Sequence, residues 1–146
     1  MDEVLFIDVN VPMYAAGRPH PNRAACVWVM TAIARGMLQA AIDVEIVQEI
    51  FHRYGALGLW DVADKMATSL LRLTPVVLPI TLDDIVQTVT LARRYGPARH
   101  IPARDLIHAA VMHNNDLTTI ISTDKHFDAI DGLVRLHPQQ LMERSQ

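Results

Sequence analysis

The residues best placed to do chemistry are carboxylates. Asp105 follows Pro102 in PARDLIHAAV, so it falls in the first turn of a predicted helix running to about Asn115. Proline fits the opening helical position, and the positive end of the helix macrodipole favours an anion there. Thr118–Ser122, TTIIS, is a short β-branched run without Gly or Pro, which suits a buried strand, and Asp124 lies just beyond it with Asp128 four residues on. Val4–Ile7, VLFI, is a second such strand, ending on Asp8-Val9-Asn10. A carboxylate just past the carboxyl end of a buried strand stands where open α/β folds build their sites.

A further acid is expected from the helix Val44–Tyr54. Glu45, Gln48, Glu49 and His52 share one of its faces, with Ile46, Val47, Ile50 and Tyr54 on or near the other. Spacing alone does not choose between the two glutamates. Glu45, in the first turn, already complements the helix dipole. Glu49 sits mid-helix, where no dipole accounts for it, and is the preferred ligand. On the later helix Asp105 shares a face with His108, Ala109 and Met112, and the small Ala109 leaves room beside the acid.

Four carboxylates gathered together repel one another and raise their own pKa values unless a cation compensates. Oxygen ligands without paired Cys or clustered His point to Mg²⁺ or Mn²⁺ rather than zinc. Such ions polarise phosphoryl oxygens and acidify bound water, so the expected chemistry is hydrolysis of a phosphodiester.

The positioning elements follow from the hydrophobic pattern. Val11–Ala15 can form one helical turn before the breaker Gly17-Arg18-Pro19, and Asn22–Arg35 reads as a helix ended by Gly36. Met37–Ile42 reads as a strand, and Asp43 caps the Val44–Tyr54 helix. Leu57–Leu71 is a further helix, and Val76–Ile80 a strand whose Pro79 suggests a sheet edge. Thr81 caps a helix through Tyr95, which Gly96-Pro97 should break. Leu133–Leu136 is the last strand, and Pro138 begins a polar tail. Strands that alternate with helices, several of them uncharged along their whole length, imply a parallel sheet covered on both faces, a three-layer α/β/α sandwich. Right-handed crossovers then bring all strand carboxyl ends to one edge, making neighbours of Asp8 and Asp124.

The chain has 146 residues, 51% hydrophobic and 20% charged, which fits a single folded domain over 1–146 and excludes disorder. A net charge of −3 excludes a wholesale basic footprint for nucleic acid, although a carboxylate-rich site would mask local basic patches. The single cysteine, Cys26, lies among apolar helical residues and reads as a core thiol. No apolar run reaches the roughly 20 residues a membrane span needs. The start MDEVLF is acidic and leads straight into a strand, unlike a signal peptide, so a cytoplasmic protein is expected.

LFIDVN, the QEI helix, IPARDLIHAAV and IISTDKHFD, in this order and spacing, resemble the PIN-domain ribonucleases, and within them the small VapC-type toxins of toxin–antitoxin pairs. The resemblance spans Val4 to about Pro138. It implies a parallel sheet flanked by helices, Mg²⁺- or Mn²⁺-dependent endonucleolytic cleavage of RNA leaving a 5′-phosphate, a homodimer, and an antitoxin partner that covers the site. The family's metal-binding acids carry over to Asp8, Glu49, Asp105 and Asp124. Asp128 matches a fifth, through water or beside a second ion, and Asn10 and Thr123 match polar positions that orient these ligands. Where the family usually has Ser or Thr before the Glu helix, this chain has Asp43, and Glu45 is an extra acid.

The segment Arg93–Arg104 leads into Asp105 with Arg93, Arg94, Arg99, His100 and Arg104. Arg99 and Arg104, with Lys125 and His126, are candidates to hold RNA phosphates, the alternative being a solvated loop and a basic helix end. His52 and His108 are expected to pack or hydrogen-bond near the site. YGALGLW gathers large apolar residues that suit either core or a partner surface. Three rivals remain. One is a nuclease or phosphatase acting on another phosphate ester, and another is a PIN-fold binding module without catalysis. The third is a di-iron carboxylate bundle, for which Glu49-x-x-His52 and Asp105-x-x-His108 have suitable spacing.

Overall fold

In the computed structural model, which describes residues 3–146, each strand has only three or four residues, and the three central strands are buried along their whole length. β1 is Leu5–Ile7, β2 Ala40–Asp43, β3 Val76–Leu78, β4 Thr119–Ile121 and β5 Val134–Leu136. All neighbours pair in parallel, in the order β3-β2-β1-β4-β5. Met1 and Asp2, part of the MDEVLF start read above against a signal peptide, lie outside the described residues.

The alternation of side chains along each strand divides the core in two. Leu5, Ile7, Ala40, Ile42 and Ile121 face one layer, formed by α1 (Asn10–Ala16), α2 (Arg23–Ala34), α3 (Glu45–Ala56), α4 (Trp60–Leu73) and α7 (Pro138–Arg144). Phe6, Ala41 and Ile120 face the other, formed by α5 (Leu82–Arg99) and α6 (Ala103–Asn114) with the 3₁₀ turn Lys125–Ala129. Burial on both faces is why these strands read as continuous apolar runs. Cys26 is fully enclosed in the first layer, and burial pushes its thiol up to about 11. The parallel sheet excludes the di-iron bundle. Among the described residues no helix is long and apolar enough to cross a membrane.

Among the departures from the sequence expectation, three stand out. Gly96-Pro97 does not break α5, which runs on to Arg99 with Pro97 inside it. The bond a proline cannot make would have gone to the carbonyl of Arg93, an exposed residue where water can take its place. The helix ends instead at His100, in the left-handed conformation (φ 54°). The polar tail is helical: His137 accepts from the Gln139 N–H at 3.1 Å, Pro138 opens the helix, and Leu141 is buried against the first core layer. The third departure is at Met37, which is exposed after Gly36 (φ +72°), so β2 begins only at Ala40.

Strand order reverses at β1, with β2 and β3 on one side and β4 and β5 on the other. The crevice at this switch opens between the carboxyl ends of β1 and β4, which are followed by Asp8 and Asp124. The Asp8 N–H donates to Ile121 O at 3.1 Å, joining the two strand ends directly.

Candidate active site

Asp8 leaves β1 at the switch point and is 3% exposed. Its Oδ1 accepts from the Val9 N–H at 2.8 Å, and its Oδ2 from Ser122 Oγ at 2.7 Å and Asn10 Nδ2 at 3.0 Å. Burial pushes this carboxyl up to about 6, against the lowering influence of His108 and the Ser122 hydrogen bond. Neighbouring Asp105 and Glu49 add to the rise. Ser122, the last polar residue of the TTIIS run, also accepts the Asp124 N–H at 2.9 Å, so one hydroxyl links the acids of β1 and β4.

Asp105 enters from the first turn of α6, as expected for an acid behind Pro102. Burial raises its pKa, a hydrogen bond with His126 opposes this, and the nearby Asp124 raises it further. His126 Nδ1 lies 3.1 Å from Asp105 Oδ2 and 3.0 Å from Asp124 Oδ1, bridging the two. Asp124 also caps the 3₁₀ turn, taking the His126 N–H at 2.9 Å. Glu49 comes from α3, buried, with its Oε2 3.5 Å from Arg104 Nε.

Thus Asp8, Glu49, Asp105 and Asp124, drawn from four separate segments, line a single cleft of about 950 Å³. Asn10, Thr123, Glu45, Gln48, His52 and Arg104 share its walls. Glu45 therefore faces the same space as Glu49, and its pKa is raised by burial and by Glu49. Only Glu49, however, joins the tight grouping in which Asp8, Glu49 and His108 bring donor atoms within 4.8 Å of one another. Asp105, Asp124 and His126 form a second such grouping.

Five acids, Glu45 included, face this cleft, and burial holds Asp8 and Asp105 against ionisation. Such an arrangement is costly without a cation, and hard oxygen donors of this kind fit Mg²⁺ or Mn²⁺.

The structure does not bring every candidate here. Asp128 is gripped by Arg135 through Nε at 2.9 Å and Nη2 at 3.1 Å, which lowers its pKa, and it does not line the cleft. The guanidinium occupies the oxygens a fifth ligand would need. Arg99 and Lys125 are exposed and also absent from the cleft walls, whereas Arg104 stands at its rim and His126 is turned onto the acids. Thr123 takes part through its backbone, donating to Asn10 Oδ1 at 3.3 Å.

The sequence reading had no role for Ser122 and took Asp43 as a helix cap alone. Asp43 does receive the Glu45 N–H at 3.1 Å, but its second oxygen lies 2.7 Å from His108 Nδ1. His108 Nε2 in turn meets Glu49 Oε1. Burial would lower the His108 pKa, yet its hydrogen bonds with Asp43 and Glu49 raise it well above the usual imidazole range. Among the described residues, no buried side-chain polar atom lacks a hydrogen-bond partner.

Comparison with known proteins agrees with this geometry. The family model for the PIN domain matches residues 5–133. The chain belongs to the PIN-domain family. Among its PIN relatives, ribonuclease VapC13 of Mycobacterium tuberculosis is 31% identical over 133 residues, covering 91% of this chain and 99% of that one. Ribonuclease VapC23 of the same organism is 30% identical over 121 residues, covering 83% and 93%. The fold is shared with crystalline M. tuberculosis VapC20, named as a sarcin-ricin loop cleaving toxin, at a TM-score of 0.74 and 18% identity over 92% of this chain and 99% of that one. It is shared also with FitAB bound to a DNA fragment, at 0.70 and 22% over 92% and 94%.

Proposed function

We propose that this PIN-domain protein is a divalent-metal-dependent endoribonuclease and the toxin of a toxin–antitoxin pair. The observation that carries the reading is the convergence of Asp8, Glu49, Asp105 and Asp124 on one cleft at the strand-order switch. The relatives named as VapC ribonucleases, matched over nearly their whole length, support RNA as the substrate.

Asp8, Glu49, Asp105 and Asp124 are the residues that would hold Mg²⁺ or Mn²⁺. Bound there, such an ion supplies Lewis acidity toward a phosphodiester and lowers the pKa of water so that hydroxide forms near neutral pH. Asn10 and Ser122 fix the Asp8 carboxylate by hydrogen bonds, and Ser122 fixes the Asp124 backbone. His126 sets Asp105 and Asp124 relative to each other. Arg104, exposed 3.5 Å from Glu49, would meet a backbone phosphate on the strand being cut. The mouth beside it is lined by Val9, Met13, Tyr14 and Leu57, apolar surface against which bases can lie.

The reading includes a cytoplasmic location, a homodimer and an antitoxin. An apolar groove of about 620 Å³ between α1, α2 and α4, lined by Val27, Met30, Val62, Met66 and Leu73, carries Arg35 and Lys65 on its walls. It suits an antitoxin helix with an apolar face and acidic flanks.

The test is incubation of the protein with labelled RNA, labelled DNA and a small phosphate ester, each with Mg²⁺, with Mn²⁺ and with EDTA. RNA alone should be cut, with 5′-phosphate ends, and EDTA should stop it. Cleavage that persists in EDTA would remove the metal from the mechanism. Preferential loss of DNA or of the ester would move the substrate class, and binding without cleavage would leave a non-catalytic module.

A further inference from the structure

His108 does not line the cleft, yet it is the most enclosed ionisable side chain touching one of its acids, at 1% exposure. It projects from the buried face of α6, and the Phe6 ring packs against the imidazole with centroids 5.4 Å apart. Its two nitrogens face two carboxylates, Asp43 at the end of β2 and Glu49 in mid-α3. Asp43 is itself fully buried, and its free oxygen is anchored on the Glu45 N–H. A continuous chain of contacts therefore runs from the central sheet through Asp43 and His108 to one oxygen of Glu49. The other Glu49 oxygen is turned to Arg104 at the cleft wall.

A glutamate on a helix can sample several rotamers, which would scatter its carboxylate across the cleft. The imidazole stops this, because Glu49 Oε1 is bound to a ring that Asp43 and Phe6 hold still. We propose that His108, braced by Asp43, is a positioning residue that locks Glu49 with one oxygen held by the protein and the other presented to a divalent cation. This rests on the metal-dependent reading above. Both ring nitrogens are engaged by carboxylates, so the imidazole acts through Glu49 rather than as a ligand. Hydrogen-bond partners of metal ligands contribute to affinity in this way, and their loss typically weakens binding about 10–100-fold.

The experiment is Mn²⁺ binding to the metal-free protein without RNA, by calorimetry and by electron paramagnetic resonance, for the wild type, His108→Asn, His108→Gln and Asp43→Ser. The Asn amide nitrogen reaches the place of Nδ1, keeping Asp43 satisfied while removing the arm to Glu49. The Gln amide nitrogen reaches the place of Nε2 and restores that arm. Asp43→Ser keeps a side-chain oxygen for the Glu45 N–H but no longer spans to the imidazole. His108→Asn should bind Mn²⁺ about 10–100-fold more weakly, and His108→Gln should recover most of that loss. Asp43→Ser should fall in the same direction as His108→Asn, and carries the comparison if His108→Asn does not fold. A folded His108→Asn with wild-type affinity, equal losses in the Asn and Gln variants, or a nitrogen directly coupled to the bound Mn²⁺ would each overturn the assignment. A wild type that takes up no Mn²⁺ would instead overturn the metal-dependent reading and this proposal with it.

Discussion

Burial sets the Asp8 carboxyl at about 6, and the sign of its effect on stability follows. A carboxyl whose folded pKa lies above its unfolded value loses stability as pH rises through the interval between them, here from about 4 to 6, and the penalty persists above it. A shift of about two units corresponds to roughly 3 kcal/mol carried by the metal-free protein at neutral pH. Asp8→Asn removes that charge, but an amide has one acceptor oxygen for the three hydrogen bonds Asp8 receives. The expected net gain is therefore about 1 kcal/mol in EDTA at pH 7.5, turning into a net loss by about pH 4, where only the lost hydrogen bonds remain, with cleavage abolished. Thermal unfolding at the two pH values measures it, and a variant less stable than wild type at both would refute the burial argument. Asp8, Asp105 and Asp124 were legible in sequence because strand ends and first helical turns are local features. The Asp43–His108 contact was not, since it joins β2 to α6 and Asp43 already has a sufficient local reason to be there. Asp128 misled for the converse reason: its position four residues past Asp124 fits a ligand, and nothing local reveals that β5 delivers Arg135 onto it.

The helices α5 and α6 show how far element boundaries could be read. Thr81 begins α5 as expected, in a reciprocal cap: its N–H donates to Asp84 Oδ2 at 2.8 Å and its hydroxyl accepts from the Asp84 N–H at 3.3 Å. Asp84 Oδ1 also receives Asn114 Nδ2 at 2.9 Å, tying the start of α5 to the end of α6, the helix that carries Asp105. Burial alone would raise the Asp84 pKa, but these hydrogen bonds lower it overall. A depressed carboxyl contributes stability that is present above its unfolded pKa and lost as pH falls through the folded one. Thr81→Ala should therefore cost about 1 kcal/mol at neutral pH while leaving cleavage intact. The loss should shrink below about pH 4, where Asp84 in the unfolded chain takes up its proton. A denaturant titration at pH 7 and at pH 3 checks this, and an unchanged midpoint at pH 7 would show that the cap is redundant. The far end of α5 was misread because Gly96-Pro97 is a strong breaker in isolation, yet an exposed last turn tolerates a missing bond. Hydrophobic periodicity locates a helix that packs; it says less about where an exposed end frays.

At the scale of the molecule, the same cleft that destabilises the empty protein should stabilise the loaded one. A sheet with both faces covered brings β1 and β4 side by side, so acids from opposite ends of the chain converge as a consequence of strand order. A cation that binds only the folded chain adds RT ln(1 + [L]/Kd), about 2.7 kcal/mol at a hundred times Kd. For a protein of this size that corresponds to a rise in Tm of roughly 5–10 °C. The wild type should show this rise with Mg²⁺ or Mn²⁺, reversed by EDTA. Asp8→Asn should begin from a higher metal-free Tm and gain little on adding metal. The two proteins then respond oppositely to one carboxylate, which nonspecific ion effects on a surface of net charge −3 would not reproduce. Equal rises in both, or none in either, would mean that Asp8 and its neighbours are gathered without holding an ion, and catalysis would have to be sought away from the strand-order switch.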